Sequence, residues 1–156
     1  MLIETVCVSM MSLSSATSVT GQGGDSLPAG ANRCGEIFGE IQSVLHEDYI
    51  GGQIIGSSEI IQSAFHEDMI MMFPSHDGNG ESYLQLWTDM HSLAEEWAQT
   101  PHPDYDVANF EMLSVDVVDD RLATVLFKIE DRVYEALTLL KIEGEWLIVS
   151  KVFIEQ

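Results

Sequence analysis

The stretch VYEALTLLKIEGEWLIVSKVFI, residues 133–154, decides how this chain folds. Two apolar runs flank Glu143-Gly144, and a glycine there supplies the positive φ that a tight hairpin turn needs. The second run carries Trp146, Ile148, Val149, Val152, Phe153 and Ile154. Aromatic and β-branched side chains of this kind fit a pleated, half-buried surface better than a helix. The segment reads as the central hairpin of a curved antiparallel sheet.

Working outward, the period-two pattern extends back to Val107, with turns at Asp119-Asp120, Asp131-Arg132 and Glu143-Gly144. This predicts a four-strand meander over 107–118, 121–131, 133–142 and 146–154. Upstream the period changes. Ile37, Ile41, Val44, Leu45 and Tyr49 recur at three- and four-residue spacing, which predicts a helix from Glu36 that stops at Gly51-Gly52. Ser57-Ser58-Glu59 caps a short second helix with Ile60, Ile61, Ala64 and Phe65 on its buried side. Met69 to Phe73 (MIMMF) is a first strand, and residues 76–80 form a loop. Ser82 to Gln85 supplies a capping-box pattern, followed by Tyr83, Leu86, Trp87, Met90, Leu93, Ala94 and Trp97 at helical spacing. Thr100-Pro101-His102-Pro103 ends that third helix. The expected architecture is α+β, three N-terminal helices packed on an antiparallel meander.

At 156 residues with 46% apolar side chains, the chain suits one domain with a substantial core. Residues 1–35, rich in Ser, Thr and Gly from 12 onward, read as a flexible extension, and 36–156 as the domain. The net charge is −20, from 26 acidic against 6 basic residues. Such a charge repels phosphate backbones and anionic bilayers, which argues against nucleic acid and membrane as partners. No apolar run reaches the ~18 residues that span a bilayer. The apolar leader lacks the positive n-region of a signal peptide. Cys7 and Cys34 form no CxxC pattern and are read as reduced thiols in a cytoplasmic protein.

Helices preceding a long meander that ends in LTLLKIEGEWLIVSKVF resemble the nuclear transport factor 2-like superfamily, and within it the putative lumazine-binding group of small bacterial proteins. Three pieces carry the resemblance: Tyr49-Ile50-Gly51-Gly52, Ala64-Phe65-His66-Glu67-Asp68, and the terminal hairpin with Trp146 and Lys151. The resemblance implies a cone-shaped sheet wrapped over the helices around an apolar pocket, often in a homodimer. The superfamily hosts isomerases, dehydratases and non-catalytic binders, so the fold does not choose a function.

His46-Glu47-Asp48 and His66-Glu67-Asp68 form a near repeat that invites a metal reading. Adjacent helical side chains fan out by about 100°, so the three groups of one copy do not converge, and acidic helix ends are the stronger reading. His66 to Asp68 resembles the family's segment before the first strand, which implies that His66 shapes the pocket mouth. Asp116 lies mid-strand among valines, where burial makes a general base and alternation equally lets it face solvent. In the isomerase branch an Asp base works with a Tyr donor, and Tyr49 with Asp116, or Tyr49 with His91, imitates that pair. Lys151 faces either an anionic ligand or, more simply in so acidic a chain, an acidic side chain on a neighbouring strand. Nucleophile, P-loop and dinucleotide motifs are missing from the sequence, and no cofactor is expected. The leading expectation is a binder of a small apolar or aromatic molecule, lined by Tyr49, Phe65, His66, Phe73, Trp87, Met90 and His91, with a homodimer formed through the sheet. The alternatives are an isomerase or dehydratase using Tyr49, His91 and Asp116, and a dimeric interaction module.

Overall fold

The computed structural model describes residues 6–10, 29–103, 109–130 and 133–155. In chain order these form β1 (Val6–Met10), α1 (Ala29–Ser43), a π-helical segment (Val44–Ile50), α2 (Gly51–Ile55) and α3 (Ser58–Ser63). There follow β2 (Phe65–His76), β3 (Ser82–Trp87), α4 (Met90–Gln99), β4 (Phe110–Val118), β5 (Leu122–Ile129), β6 (Val133–Ile142) and β7 (Glu145–Glu155). The class is α+β, as expected.

The strands form one sheet in the order β1-β4-β5-β6-β7-β2-β3. The C-terminal meander is present, and Glu143 and Gly144 both take positive φ, 53° and 95°, at the β6–β7 turn. The turn expected at Asp131-Arg132 lies outside the described residues. The sheet is not purely antiparallel: β2 runs parallel to β7, with Met71 opposite Lys151. Register shifts fall between Phe65 and Ile70, Met112 and Ser114, and Thr138 and Leu139. Extra residues in one strand of a pair bend that strand and increase its local twist, so the sheet is not flat at these places.

Three expectations need correction. The first helical rod begins at Ala29 and does not stop at Gly51-Gly52; it continues through the π-helical segment into α2 and ends at Gly56, φ 71°. Gly52 serves close packing instead: a Cβ there would lie 2.7 Å from Ile61 Cγ1 and 2.8 Å from Ile61 N. Residues 82–87 are a strand and not the first turns of a helix. The Asp77 side chain accepts the Asn79 and Glu81 N–H groups, each at 2.8 Å, which turns the chain so that β3 pairs back on β2. Helix α4 starts at Met90, with Asp89 Oδ1 accepting the Ser92 N–H at 3.0 Å. Finally, Cys34 is held in a disulfide and packs against the core, so the reduced-thiol reading fails. The chain has one other cysteine, Cys7, on β1. Disulfides persist in oxidising surroundings, which removes the thiol argument for a cytosol. No helix of the described residues is long and apolar enough to cross a membrane.

Ile37, Ile41, Leu45 and Tyr49 form one buried stripe along the helical rod, as their spacing predicts. They pack on the inner sheet face, where strand alternation places Val115, Val117, Val125, Phe127, Leu137, Leu139 and Ile148. Burying each such side chain contributes roughly 1.5–3 kcal/mol. Glu40 on α1 ties the rod to the terminal hairpin, accepting from Lys141 Nζ at 2.7 Å and Trp146 Nε1 at 3.0 Å.

Candidate functional site

Alternation along β6 and β7 turns Glu135 and Lys151 to the inner face, beside Leu137 and Phe153. Both are almost fully buried, at 1% and 4% exposure. Lys151 Nζ lies 2.6 Å from Glu135 Oε1 and also donates to the Tyr49 hydroxyl. The Tyr49 hydroxyl in turn donates to Glu135 Oε1 at 3.0 Å. One end of the helical rod and two strands thus meet in a compact ion pair bridged by a phenol. Isolated charges at this depth would cost several kcal/mol each; pairing and hydrogen bonding offset most of that.

The triad is wrapped in aromatic rings. Lys151 Nζ sits 4.8 Å from the Tyr49 ring centroid and 5.1 Å from those of Trp97 and Phe153, within cation–π range. Phe65 meets Tyr49 edge-on at 5.1 Å, and Trp97 closes the group at 5.9 Å from Tyr49. Beyond Phe153 the rings form a ledge. Phe73 stacks on Phe153 at 5.0 Å and 8°, and Trp87 stacks on Phe73 at 5.5 Å and 25°. All three are half-buried, whereas the triad beneath is closed. The ledge belongs to the inner face because Met71, opposite both Trp87 and Lys151, is buried there. One hydrogen-bonding position stays empty: Glu135 Oε2 is buried without a partner.

The residues singled out from the sequence do not share one place. Tyr49 joins the triad and Phe65 packs on it; Phe73 and Trp87 form the ledge. Met90 and His91, together with Phe65, Gln62 and Glu67, border a separate open groove of about 430 Å³ between α3 and α4. His91 there has 70% of its side chain exposed and lies 3.3 Å from Glu95 Oε1. His66 is half-buried, its Nδ1 accepting the Asp68 N–H at 3.2 Å. Asp116 is exposed on the outer face, between buried Val115 and Val117. Tyr49, His91 and Asp116 are therefore not brought together. Among the described residues, no group of three or more His, Cys, Asp or Glu is placed to hold a metal ion.

Sequence reasoning missed Glu135, Trp97 and Phe153. Glu135 carried a legible signal, since it stands in step with Leu137 and Leu139 on the inward side of a strand. Lys151 does find an acidic partner on the neighbouring strand, Glu135, in the buried interior.

The putative lumazine-binding family matches this chain over residues 37–154, which includes every member of the triad and the ledge. No curated protein matches it. Among solved structures it is similar to an NTF2-like protein of unknown function from Shewanella baltica OS155, at 21% identity, covering 78% of this chain and 94% of that one, with a TM-score of 0.61. It is similar also to one from Silicibacter pomeroyi DSS-3, at 20% identity over 78% and 98% of the two chains, with a TM-score of 0.63. A third, from Methylobacillus flagellatus KT, has 21% identity, coverages of 78% and 93%, and a TM-score of 0.60. At these identities the likeness establishes the fold.

Proposed function

Because this chain belongs to the putative lumazine-binding family, within the NTF2-like fold, we propose that it binds a small, planar aromatic molecule on the inner face of its sheet. The observation that carries this reading is the half-buried ledge of Phe73, Trp87 and Phe153 directly beside the closed Lys151–Glu135–Tyr49 triad. A flat apolar platform next to a few fixed polar groups is the general form of a small-molecule site. Stacked rings supply contact area at low entropic cost, and the polar floor selects orientation. All of these groups fall within 36–156, the segment we propose as the domain. The isomerase or dehydratase alternative has less support, since Tyr49, His91 and Asp116 stand apart.

The test is a calorimetric titration with lumazine and a panel of bicyclic heterocycles. Saturable binding to the wild type, weakened about tenfold or more in Trp87→Ala, is the expected outcome; a tenfold change corresponds to ~1.4 kcal/mol. Absence of saturation across the panel contradicts the reading.

A homodimer through the outer sheet face is the second part of the proposal. Register places Leu86, Met72, Val152, Ala136 and Leu126 in one row across β3, β2, β7, β6 and β5. Leu86, Val152 and Leu126 are 55%, 38% and 40% exposed, and a contiguous apolar patch of this kind favours association. Sedimentation at dilute concentration should give a dimer that Val152→Lys converts to monomer; a wild-type monomer excludes the interface.

A further inference from the structure

We infer that the molecule bound here is a neutral or cationic heterocycle with an N–H on its ring edge, and that Glu135 Oε2 accepts that N–H. The inference rests on the ligand-binding reading above and adds to it the chemistry of recognition. Three observations carry it. Both donors in the triad, Lys151 Nζ and the Tyr49 hydroxyl, are directed to Glu135 Oε1. Glu135 Oε2 is left buried and unpartnered in a residue with 1% exposure, and a carboxylate oxygen at that depth loses its hydration without a replacement. Third, Glu135 stands opposite Phe153 in the β6–β7 register, and Phe153 is the ring that joins the triad to the ledge.

The triad is closed, so a planar ring stacked on the ledge brings one edge to Glu135 only when the half-buried Phe153, opposite Glu135 in the register, turns aside. An edge N–H completes the carboxylate. An ether oxygen or an anionic group at the same place sets one acceptor against another and leaves the Glu135 oxygen without a donor. The molecule's net charge of −20 works in the same direction, disfavouring anionic ligands at long range. Selection of this kind is strong because the wrong ligand leaves a buried polar group unpaired.

Indole and benzofuran separate the ledge from the carboxylate, having the same bicyclic shape and differing in N–H against ether oxygen. Ligand-observed NMR titration of the wild-type protein should show indole binding about tenfold or more tightly than benzofuran. In Glu135→Gln the amide NH₂ presents a donor where the orphan oxygen stood, so the preference should collapse or invert. Equal affinity of the wild type for the two probes overturns the inference and leaves the ledge intact as a binding platform. An unaltered preference in folded Glu135→Gln overturns it too. Failure of every bicyclic probe to bind overturns both readings. If Glu135→Gln does not fold, the wild-type ratio alone decides.

Discussion

Lys151 and Glu135 illustrate how one buried charge commits its neighbours. Removing only the cation leaves Glu135 charged and desolvated, which costs about 3–5 kcal/mol for a buried pair. Lys151→Met should therefore lower the urea unfolding free energy by about that amount, while Lys151→Met combined with Glu135→Leu should recover most of it, since apolar replacement of a whole buried pair is often neutral or stabilising. A loss below about 1 kcal/mol in the single variant would show that the pair is not closed from water. His46 is half-buried, its ring 6.1 Å from Phe127 and its Nε2 buried without a partner. Burial lowers its pKa from 6.5, with Glu47 opposing. The unfolded chain thus binds this proton more readily than the fold does, so His46 makes stability fall as pH drops below 6.5. Neither group was recognised from sequence as part of the interior. Glu135 stood at an inward strand position that should have flagged it, whereas the burial of His46 depends on Phe127, far away in the chain.

At the scale of elements, the meander was legible because period two, β-branched composition and turn residues all agree along it. The segment 82–97 was not. Tyr83, Leu86, Trp87 and Met90 fit a helical stripe, and the same residues also fit a strand followed by a new helix. What decides is Asp77 turning the chain back and Asp89 capping α4, both local hydrogen bonds that compete with the Ser82 capping pattern. The Asp89 carboxyl is held below its ordinary range by the Ser92 N–H, as a capping role implies. Gly51-Gly52 was misread for a related reason: a glycine pair signals a helix stop unless a partner element needs the space. Gly52→Ala should destabilise by about 1–3 kcal/mol, because Ile61 N at 2.8 Å is backbone and has little freedom to move. Gly39→Ala, with nothing within 4 Å, should stabilise by about 0.5–1 kcal/mol through helix propensity. Chemical denaturation of both variants checks the pair, and equal effects would contradict a packing role for Gly52.

For the whole molecule, the parallel pairing of β2 with β7 is what assembles the site. It sets Phe73 and Trp87, from the middle of the chain, beside Lys151 and Phe153 from its end. Local periodicity carries no information on such a pairing, which is why the sequence offers the candidate residues individually and not their spatial grouping. Of the residues expected to line one pocket, Phe73 and Trp87 lie on the ledge, whereas Met90 and His91 border a different groove. The curved sheet then has two apolar faces with separate uses, the inner ledge proposed for a ligand and the outer row proposed for a second copy. A crystal structure grown with lumazine shows whether the inner ledge holds a ligand. Planar density stacked against Phe73, Trp87 and Phe153, with an edge nitrogen within hydrogen-bond distance of Glu135, is the expected result. Density confined to the Met90–His91 groove, or an inner face closed to the ligand at saturating concentration, would contradict it.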